Sequence, residues 1–216
     1  MEPMGIMVYD YAMQILYLSH PQVQIDPAIP IPKWSLSPVG RERIISALEF
    51  GLFHQCASIV SSDETKAVEA ADLIGKVLNL PIQTRADMGE NDRSATGFLP
   101  ADEFESTADR FFARPGQSIM GWERAIDAQT RIVAAAKREL QAHLDGNLAG
   151  DLLMVGHGAV GTLLWCHAAG VDINRDYDQM APSLAGGGNV LEFSVESGGL
   201  TPRHHWRSME ELQTHP

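Results

Sequence analysis

The sequence has no excess of positive charge. Of its 216 residues, 16 are Lys or Arg and 28 are Asp or Glu, so the formal net charge is −12. A strongly acidic chain is repelled by the phosphate backbones of DNA and RNA, which argues against nucleic acid as a general partner. A local basic pocket is still compatible with this balance. We therefore expect a small-molecule ligand, and the charge of the chain allows that ligand to be an anion.

Long apolar runs and paired cysteines are also missing. Gly, Pro or a charged residue interrupts every apolar segment before it reaches the ~20 residues that a membrane-spanning helix needs. The first residues, MEPMGIMVYDYAMQ, carry acids where a secretory leader carries Lys or Arg. The two cysteines, Cys56 and Cys166, lie in apolar surroundings and are predicted to be free buried thiols. These absences predict a cytoplasmic protein without membrane contact.

The sequence does contain a regular alternation of strand and helix patterns. Hydrophobic residues make up 44% of the chain, which is enough for a sizeable core. Strands are predicted at residues 15–18, 57–61, 82–85, 152–155 and 189–196, and helices at 39–53, 64–78, 101–113, 122–144 and 159–169. This order predicts one α/β domain over residues 1–216, a three-layer α/β/α sandwich with a mostly parallel central sheet.

Several helix boundaries carry local signals. Ser37 followed by Pro38 is typical of a helix start, and Ser61 with Glu64 fits a capping box. Pro-rich residues 27–38 predict a loop without regular structure between the first strand and the first helix. The long fourth helix is predicted to be amphipathic, with one apolar face made of Trp122, Ile126, Val133, Leu140 and Leu144.

Two histidines directly follow predicted strands. ILYLSHPQVQ breaks at His20, and LLMVGHGAVGTLL breaks at His157, which stands between two glycines. Either histidine alone is explained by an ordinary structural hydrogen bond. Together they predict a site, because ligands of parallel sheets bind where the strands end, and the helix N-termini that follow attract anions. The 61–66 turn after the second strand is expected at the same edge.

Signals for a cofactor or a metal are weak or missing. GAVGTLL and GGGN are too short to be a dinucleotide fingerprint, and the glycines of GGGN are better explained by a tight turn into a strand. The spacing of His, Asp and Glu residues does not suggest a metal site. We therefore expect neither a cofactor nor a metal.

The motifs resemble, in order along residues 15–193, those of the histidine phosphatase superfamily, which has the phosphoglycerate-mutase-like fold. ILYLSHPQV is similar to the strand with the family's Arg-His-Gly signature and places His20 on the nucleophilic histidine. IVSSDETKAVEAADLI resembles the following helix and places Lys66 on a phosphate-binding arginine. DMGEND resembles the segment of the acidic proton donor, here Glu90, and LLMVGHGAVGTLL is similar to the second histidine segment, here His157.

The resemblance implies a phosphomonoesterase that acts on a small phosphorylated compound through a phosphohistidine. His20, as a neutral imidazole, would attack phosphorus, and water would then hydrolyse the phosphohistidine. Its other ring nitrogen would be held by a backbone carbonyl of the 27–38 loop. Glu90 would protonate the leaving alkoxide, which requires a raised pKa. His157 would contact the phosphoryl group.

Three positions depart from the family pattern. Ser19 stands where the family has the first arginine, Pro21 replaces the glycine, and Lys66 replaces the second arginine. Ser donates one neutral hydrogen bond and Lys is a point charge, whereas Arg presents a charged fork. Losing one preorganised donor commonly costs about 10²–10³ in rate. We expect Ser19, Lys66 and Arg93 to bind the phosphate, with Arg93 supplying the missing cation; a surface salt bridge of Arg93 is an equal alternative.

Three functions remain open at this point. The first is a phosphatase with a rebuilt anion pocket, and the second is a phosphatase-like protein that binds a phosphorylated ligand with weak or no turnover. The third, a phosphomutase, is disfavoured because a mutase retains phosphate in an enclosed, strongly cationic pocket. Loops 26–33 and 87–98 are expected to set specificity. The sequence specifies neither the substrate nor the oligomeric state.

Overall fold

A computed structural model describes residues 13–196 and 198–214. The strands are β1 Gln14–Ser19, β2 Cys56–Ser62, β3 Ile82–Arg85, β4 Asp151–Gly156, β5 Asn189–Glu196 and β6 Gly199–Ser208. The helices are α1 Pro38–Glu49, α2 Thr65–Leu78, α3 Ala101–Ala113, α4 Ala125–Asp145, α5 Gly158–Ala169 and α6 Met209–Thr214. The first twelve residues, on which the expectation of no secretory leader rests, lie outside the described part of the chain.

The strands form one six-stranded sheet in the order β3-β2-β4-β1-β5-β6. Strands β3, β2, β4 and β1 are parallel, while β5 pairs antiparallel with β1, and β6 antiparallel with β5. Alternation along β1 sends Ile15 and Tyr17 into a core with α4 and α5, and Leu16 and Leu18 into a second core with α1 and α2. The predicted α/β fold with a mostly parallel sheet is confirmed.

The pairing of β1 with β4 positions the two histidines. Ser19 lies opposite Gly156 in the parallel register, so His20 and His157 follow their strands at the same edge of the sheet. The His20 backbone N–H donates to the Gly156 carbonyl at 2.9 Å. The two histidine backbones are thus held together by the central strands.

The end of the chain differs from the prediction. The strand after the GGGN turn is β5, but it is not the last one, because a hairpin leads into β6 and then α6. Most of β6 is half-buried or exposed, as an edge strand is, so its sequence lacks the apolar run that marks a central strand. The expectation that β5 closes the sheet was wrong.

Several helix boundaries also needed correction. Ser37 caps α1, with its hydroxyl accepting the Gly40 N–H, as predicted. The predicted capping box of Ser61 and Glu64 was wrong, because β2 continues to Ser62 and Glu64 is the N-cap of α2 without a side-chain cap bond.

Helix α1 ends at Glu49, four residues earlier than predicted, at a turn where Gly51 and Phe53 have positive φ. The 27–38 loop contains one short turn of 3-10 helix, Ile31–Lys33.

The buried face of α4 is built from smaller residues than predicted. The helix begins at Ala125, three residues after Trp122. Ile126 and Leu144 are 47% and 41% exposed, while four alanines of the helix are fully buried. Small side chains allow α4 to pack closely on α5, and three residues of the predicted face, Trp122, Val133 and Leu140, are buried as expected.

Both cysteines are free and buried, as predicted. In the described ranges, no helix is long and apolar enough to cross a membrane.

Candidate active site

His20 is held as a neutral imidazole at the end of β1. Its Nδ1 lies 2.9 Å from the carbonyl of Pro21, the next residue, whereas a carbonyl of the 27–38 loop was expected. Burial, together with the charge of Lys66, lowers the pKa of His20 to about 4 against the opposing effect of the Pro21 bond. Donation from Nδ1 to the carbonyl leaves the lone pair on Nε2. This is the state that a nucleophilic imidazole requires.

His157 lies against His20. The ring centroids are 5.2 Å apart at an interplanar angle of 72°. The His157 ring is fully buried, and burial holds its pKa well below the usual value. The Tyr17 hydroxyl accepts the His157 N–H at 3.0 Å and donates to the His157 carbonyl at 3.2 Å, which fixes the backbone at this point.

One nitrogen of the His157 ring is left without a partner. Nε2 lies 2.8 Å from the Ser62 hydroxyl, which already accepts the Glu64 N–H. Donation from this hydroxyl to Nε2 would leave the ring proton on Nδ1, the tautomer that can donate to an anion. Nδ1 is buried and has no hydrogen-bond partner among the residues described. It is the atom of this ring that a ligand would satisfy.

Lys66 is buried next to a carboxylate. Its side chain is 2% exposed, and Nζ donates to Glu64 Oε2 at 2.5 Å and to the Ile31 carbonyl at 3.0 Å. Lys66 is therefore neither solvated nor paired with Asp63 or Glu69.

Glu64 is the centre of this cluster and was not predicted to take part in it. Its Oε1 lies 3.5 Å from His157 Nε2 and accepts the Glu90 N–H at 2.8 Å. Burial opposes the ionisation of Glu64, but His157, Lys66 and the hydrogen bonds outweigh it and lower the pKa to about 2. Glu64 is therefore a carboxylate at any ordinary pH.

The Glu90 carboxyl group lies on the N-terminus of α5. Its oxygens accept the N–H groups of Ala159 at 3.3 Å and Val160 at 3.1 Å. Burial raises the pKa of Glu90, and the charge of Glu64 adds to the effect, while Arg93 opposes it. A raised pKa suits a proton donor. The helix terminus expected to attract a phosphate thus holds a carboxyl group of the chain itself.

Arg93 enters the same region from the loop after β3. Its guanidinium stacks on Phe104 and Trp122, with its central carbon 5.2 Å and 5.6 Å from the ring centroids. In the described part of the chain, its side chain makes no hydrogen bond or salt bridge, so the surface salt bridge considered as an alternative is not present. The positive charge of Arg93 lowers the pKa values of His20 and His157. It is a cation available to a ligand.

The hydroxyl of Ser19, the residue before His20, is engaged by other residues of the chain. This buried hydroxyl donates to Gln179 Oε1 at 2.9 Å and accepts the Asn189 N–H at 3.1 Å. These bonds join β1 to the segment before β5, and its one hydrogen is committed to them. The structure therefore brings together His20, His157, Lys66, Glu90 and Arg93, whereas the Ser19 hydroxyl is engaged elsewhere.

A cleft of about 710 Å³ lies between the 27–32 and 89–98 segments. Much of its wall is apolar, and Glu64, Glu90 and Arg93 line it as well. Asn91, another lining residue, is 3% exposed and its Nδ2 has no partner in the described ranges. Neither Asn91 nor Glu64 was found from the sequence, because an isolated polar residue in a loop or at a helix start has no distinguishing pattern.

No metal site was found in the described residues, where no three His, Cys, Asp or Glu side chains are grouped to hold an ion.

Comparison with known structures gives the same fold. A mycobacterial glucosyl-3-phosphoglycerate phosphatase in complex with inorganic phosphate aligns with a TM-score of 0.73 and 18% identity, over 92% of this chain and 99% of that one. Bacillus stearothermophilus YhfR aligns with a TM-score of 0.70 and 18% identity, over 89% and 96%. A putative alpha-ribazole-5'-P phosphatase from Escherichia coli aligns with a TM-score of 0.58 and 16% identity, over 91% and 97%.

Sequence comparison identifies the family. No curated protein sequence gave a significant match. The profile of the histidine phosphatase superfamily (branch 1) matches residues 30–194, a segment that includes Lys66, Glu90 and His157 and begins after His20. The match covers most of the chain, and the strand that carries His20 pairs with the strand that carries His157. The chain therefore belongs to the histidine phosphatase superfamily.

Proposed function

We propose that this protein is a phosphomonoesterase that acts on a small phosphorylated compound through a phosphohistidine on His20. The observation that carries the proposal is the state of the His20 ring, which is neutral, with Nδ1 bonded to the Pro21 carbonyl and Nε2 left as the nucleophile. The fully buried His157 ring and the buried amine of Lys66 stand beside it. These features support nucleophilic attack on a phosphate ester.

The reaction takes two steps in this proposal. His20 Nε2 attacks phosphorus, the P–N bond forms as the P–O bond to the alcohol breaks, and Glu90 gives its proton to the leaving oxygen. A water molecule then attacks the phosphohistidine, passes a proton to the Glu90 carboxylate, and the P–N bond breaks to release phosphate. His157 Nδ1–H, Lys66 and Arg93 stabilise the charge on the phosphoryl oxygens.

Arg93 is proposed to take the place of the family's first arginine, which is Ser19 in this chain. Its guanidinium faces the cleft on an aromatic support and has a free set of donors in the described structure. Because the Ser19 hydroxyl is engaged elsewhere, we no longer place it among the phosphate ligands. We also propose that the chain acts as one domain, and that it works in the cytoplasm, where its free thiols stay reduced.

A second function is favoured by one observation. The ion pair with Glu64 cancels the charge of Lys66, so the pocket contains little net positive charge for a phosphate dianion. This supports a phosphatase-like protein that binds a phosphorylated ligand with weak or no turnover.

Hydrolysis of para-nitrophenyl phosphate separates the two functions. We expect the purified protein to release para-nitrophenol, and we expect His20→Ala to lose the activity by at least 10³-fold because it lacks the nucleophile. His54→Ala is the matched control, since His54 is exposed and remote from the pair. Absence of turnover by the intact protein, with phosphate still bound, would favour the binding protein.

A further inference from the structure

Two carboxyl groups of the chain accept hydrogen bonds from the donors that could otherwise bind an anion in this pocket. Glu64 engages the buried Lys66 amine at 2.5 Å and lies 3.5 Å from His157 Nε2. Glu90 engages the first N–H groups of α5. Glu90 has a function as a proton donor in the reaction above, whereas Glu64 has none.

The position of Glu64 is built into the fold. Glu64 is the N-cap of α2, so its backbone is fixed where β2 turns into the helix. Its own N–H donates to Ser62, and its Oε1 accepts the Glu90 N–H at 2.8 Å. The side chain is 10% exposed, and a carboxylate this buried persists only with close partners. The carboxylate is therefore a defined part of the site.

The carboxylate also connects the cleft with the histidine pair. Glu64 lines the cleft, and its Oε1 lies 3.5 Å from His157 Nε2. A phosphoryl group at His20 that binds Lys66 needs the donor that Glu64 already engages. Two anions cannot share that donor without strong repulsion, since their separation would be only a few ångströms.

We propose that Glu64 is a specificity-determining residue that holds the Lys66 donor of the phosphoryl group and is displaced from it when a phosphate ester binds. This inference rests on the proposed phosphatase function. Because the carboxylate competes for Lys66, free phosphate binds weakly, and an ester must gain affinity from contacts of its alcohol portion in the cleft. The mostly apolar wall, with Ile29, Ile31 and Phe98, favours an alcohol with an apolar part.

Removing the charge of Glu64 tests the proposal directly. Glu64→Gln and Glu64→Ala should each lower the Kd for inorganic phosphate, measured by titration calorimetry, by at least tenfold. Repulsion between like charges about 5 Å apart in a partly buried site corresponds to on the order of 10²-fold, so tenfold is a conservative threshold. If Glu64 only held Lys66 in place, its removal would weaken phosphate binding instead. Unchanged or weaker phosphate binding in folded variants overturns the proposal.

Glu49→Gln is the matched control. Glu49 ends α1, is exposed and does not line the cleft, and its side chain makes no hydrogen bond or ion pair within the described ranges, so the same unit charge is removed from solvent. Its Kd for phosphate should stay within about threefold of the wild-type value, because exposed charges are screened. If this control gained as much affinity for phosphate as Glu64→Gln, the gain would be a general effect of net charge, and the proposal for Glu64 would be overturned.

A crystal structure of the wild-type protein with orthovanadate tests the proposal without a variant. The Glu64 carboxylate should leave Lys66, whose amine should contact a vanadate oxygen. Vanadate bound beside an unmoved Glu64–Lys66 pair overturns the proposal while the phosphatase function stands. If neither the wild-type protein nor the Glu64 variants bind phosphate, both proposals fail. A phosphohistidine trapped on His20 together with unchanged phosphate affinity in Glu64→Gln rejects only the inference about Glu64.

Discussion

At the residue scale, the ionisation states of the site follow from partners within a few ångströms. Glu64 and Glu90 are both largely buried carboxyl groups, but the pKa of Glu64 is lowered to about 2 while that of Glu90 is raised. Glu64 has Lys66 and His157 beside it, whereas burial and the charge of Glu64 dominate at Glu90. Two carboxyl groups whose pKa values differ in this way suit different roles, one permanently charged and one able to donate a proton.

The proton-donor role of Glu90 predicts a dependence on the leaving group. Glu90→Gln should slow hydrolysis of an alkyl phosphate about 10²–10⁴-fold, because a poor leaving group needs its proton in the transition state. Hydrolysis of para-nitrophenyl phosphate should slow far less, since its leaving group is stable as an anion. The kcat values of both substrates provide the measurement. Equal slowing of the two reactions would instead indicate that Glu90 only caps α5.

How much of the site the sequence predicts depends on the kind of signal each residue has. His20 and His157 follow strand-like runs, and the structure places them side by side because those strands pair in parallel. Glu64 carries no such signal. Its interpretation as the partner of Ser61 in a capping box was wrong, because β2 runs one residue further than the apolar pattern indicates and Glu64 is itself the N-cap of α2. The contacts of Glu64 depend on tertiary packing, which no local pattern reports.

At the element scale, α5 is held close to β1 by residues without bulky side chains. A Cβ atom at Gly161 would lie 2.6 Å from Tyr17 and 2.7 Å from Trp206, two buried aromatic rings. Tyr17 also fixes the backbone of His157 through two hydrogen bonds. The close packing of this helix therefore determines the position of the second histidine.

Gly161→Ala should destabilise the protein and disturb the site together. The clash costs about 1–3 kcal/mol and exceeds the helix-propensity gain of up to about 1 kcal/mol. Urea unfolding measures the loss of stability, and kcat for para-nitrophenyl phosphate should fall as His157 shifts. Gly116→Ala is the control, because nothing lies within 4 Å of its Cβ position. A Gly161→Ala protein as stable and active as the control would contradict this view of α5.

Elements with strong periodic patterns were predicted well, and those without them were not. Strand β3 and helix α3 match their predicted limits, Ile82–Arg85 and Ala101–Ala113. Strand β6 was missed because an edge strand with one partner keeps polar residues. The buried face of α4 was predicted in part: Trp122, Val133 and Leu140 are buried, whereas buried alanines, which contribute little to an apolar pattern, complete the face.

At the scale of the whole molecule, the site reduces stability in acid. The pKa of His20 is lowered to about 4 in the folded protein and is about 6.5 in an unfolded chain. The unfolded state therefore binds more protons below pH 6.5, and folding stability falls as the pH drops from there towards 4. The lowered pKa of His157 also makes folding stability fall as the pH drops. The pKa of Glu64 is lowered as well, so it acts in the same direction, but its contribution to stability is lost only as the pH falls from about 4.5 towards 2.

Unfolding free energies at pH 7 and pH 5 test this coupling. For wild-type protein, the His20 contribution to the loss between these two pH values is about 2 kcal/mol. His20→Gln has no group that titrates there, so its unfolding free energy should change by about 2 kcal/mol less. Urea denaturation at both pH values provides the comparison. Parallel behaviour of the two proteins would show that His20 is not held neutral by the fold.

The central claim is that His20 forms a phosphohistidine. Rapid-quench mixing with radiolabelled para-nitrophenyl phosphate, followed by peptide mapping, tests it most directly, because a phosphoramidate is labile in acid and stable in base. We predict base-stable label on the peptide that contains His20 in wild-type protein and none in His20→Ala. His157→Ala should still accept label on His20, at a lower rate. Label that persists in His20→Ala, or turnover without any labelled protein, would contradict the account.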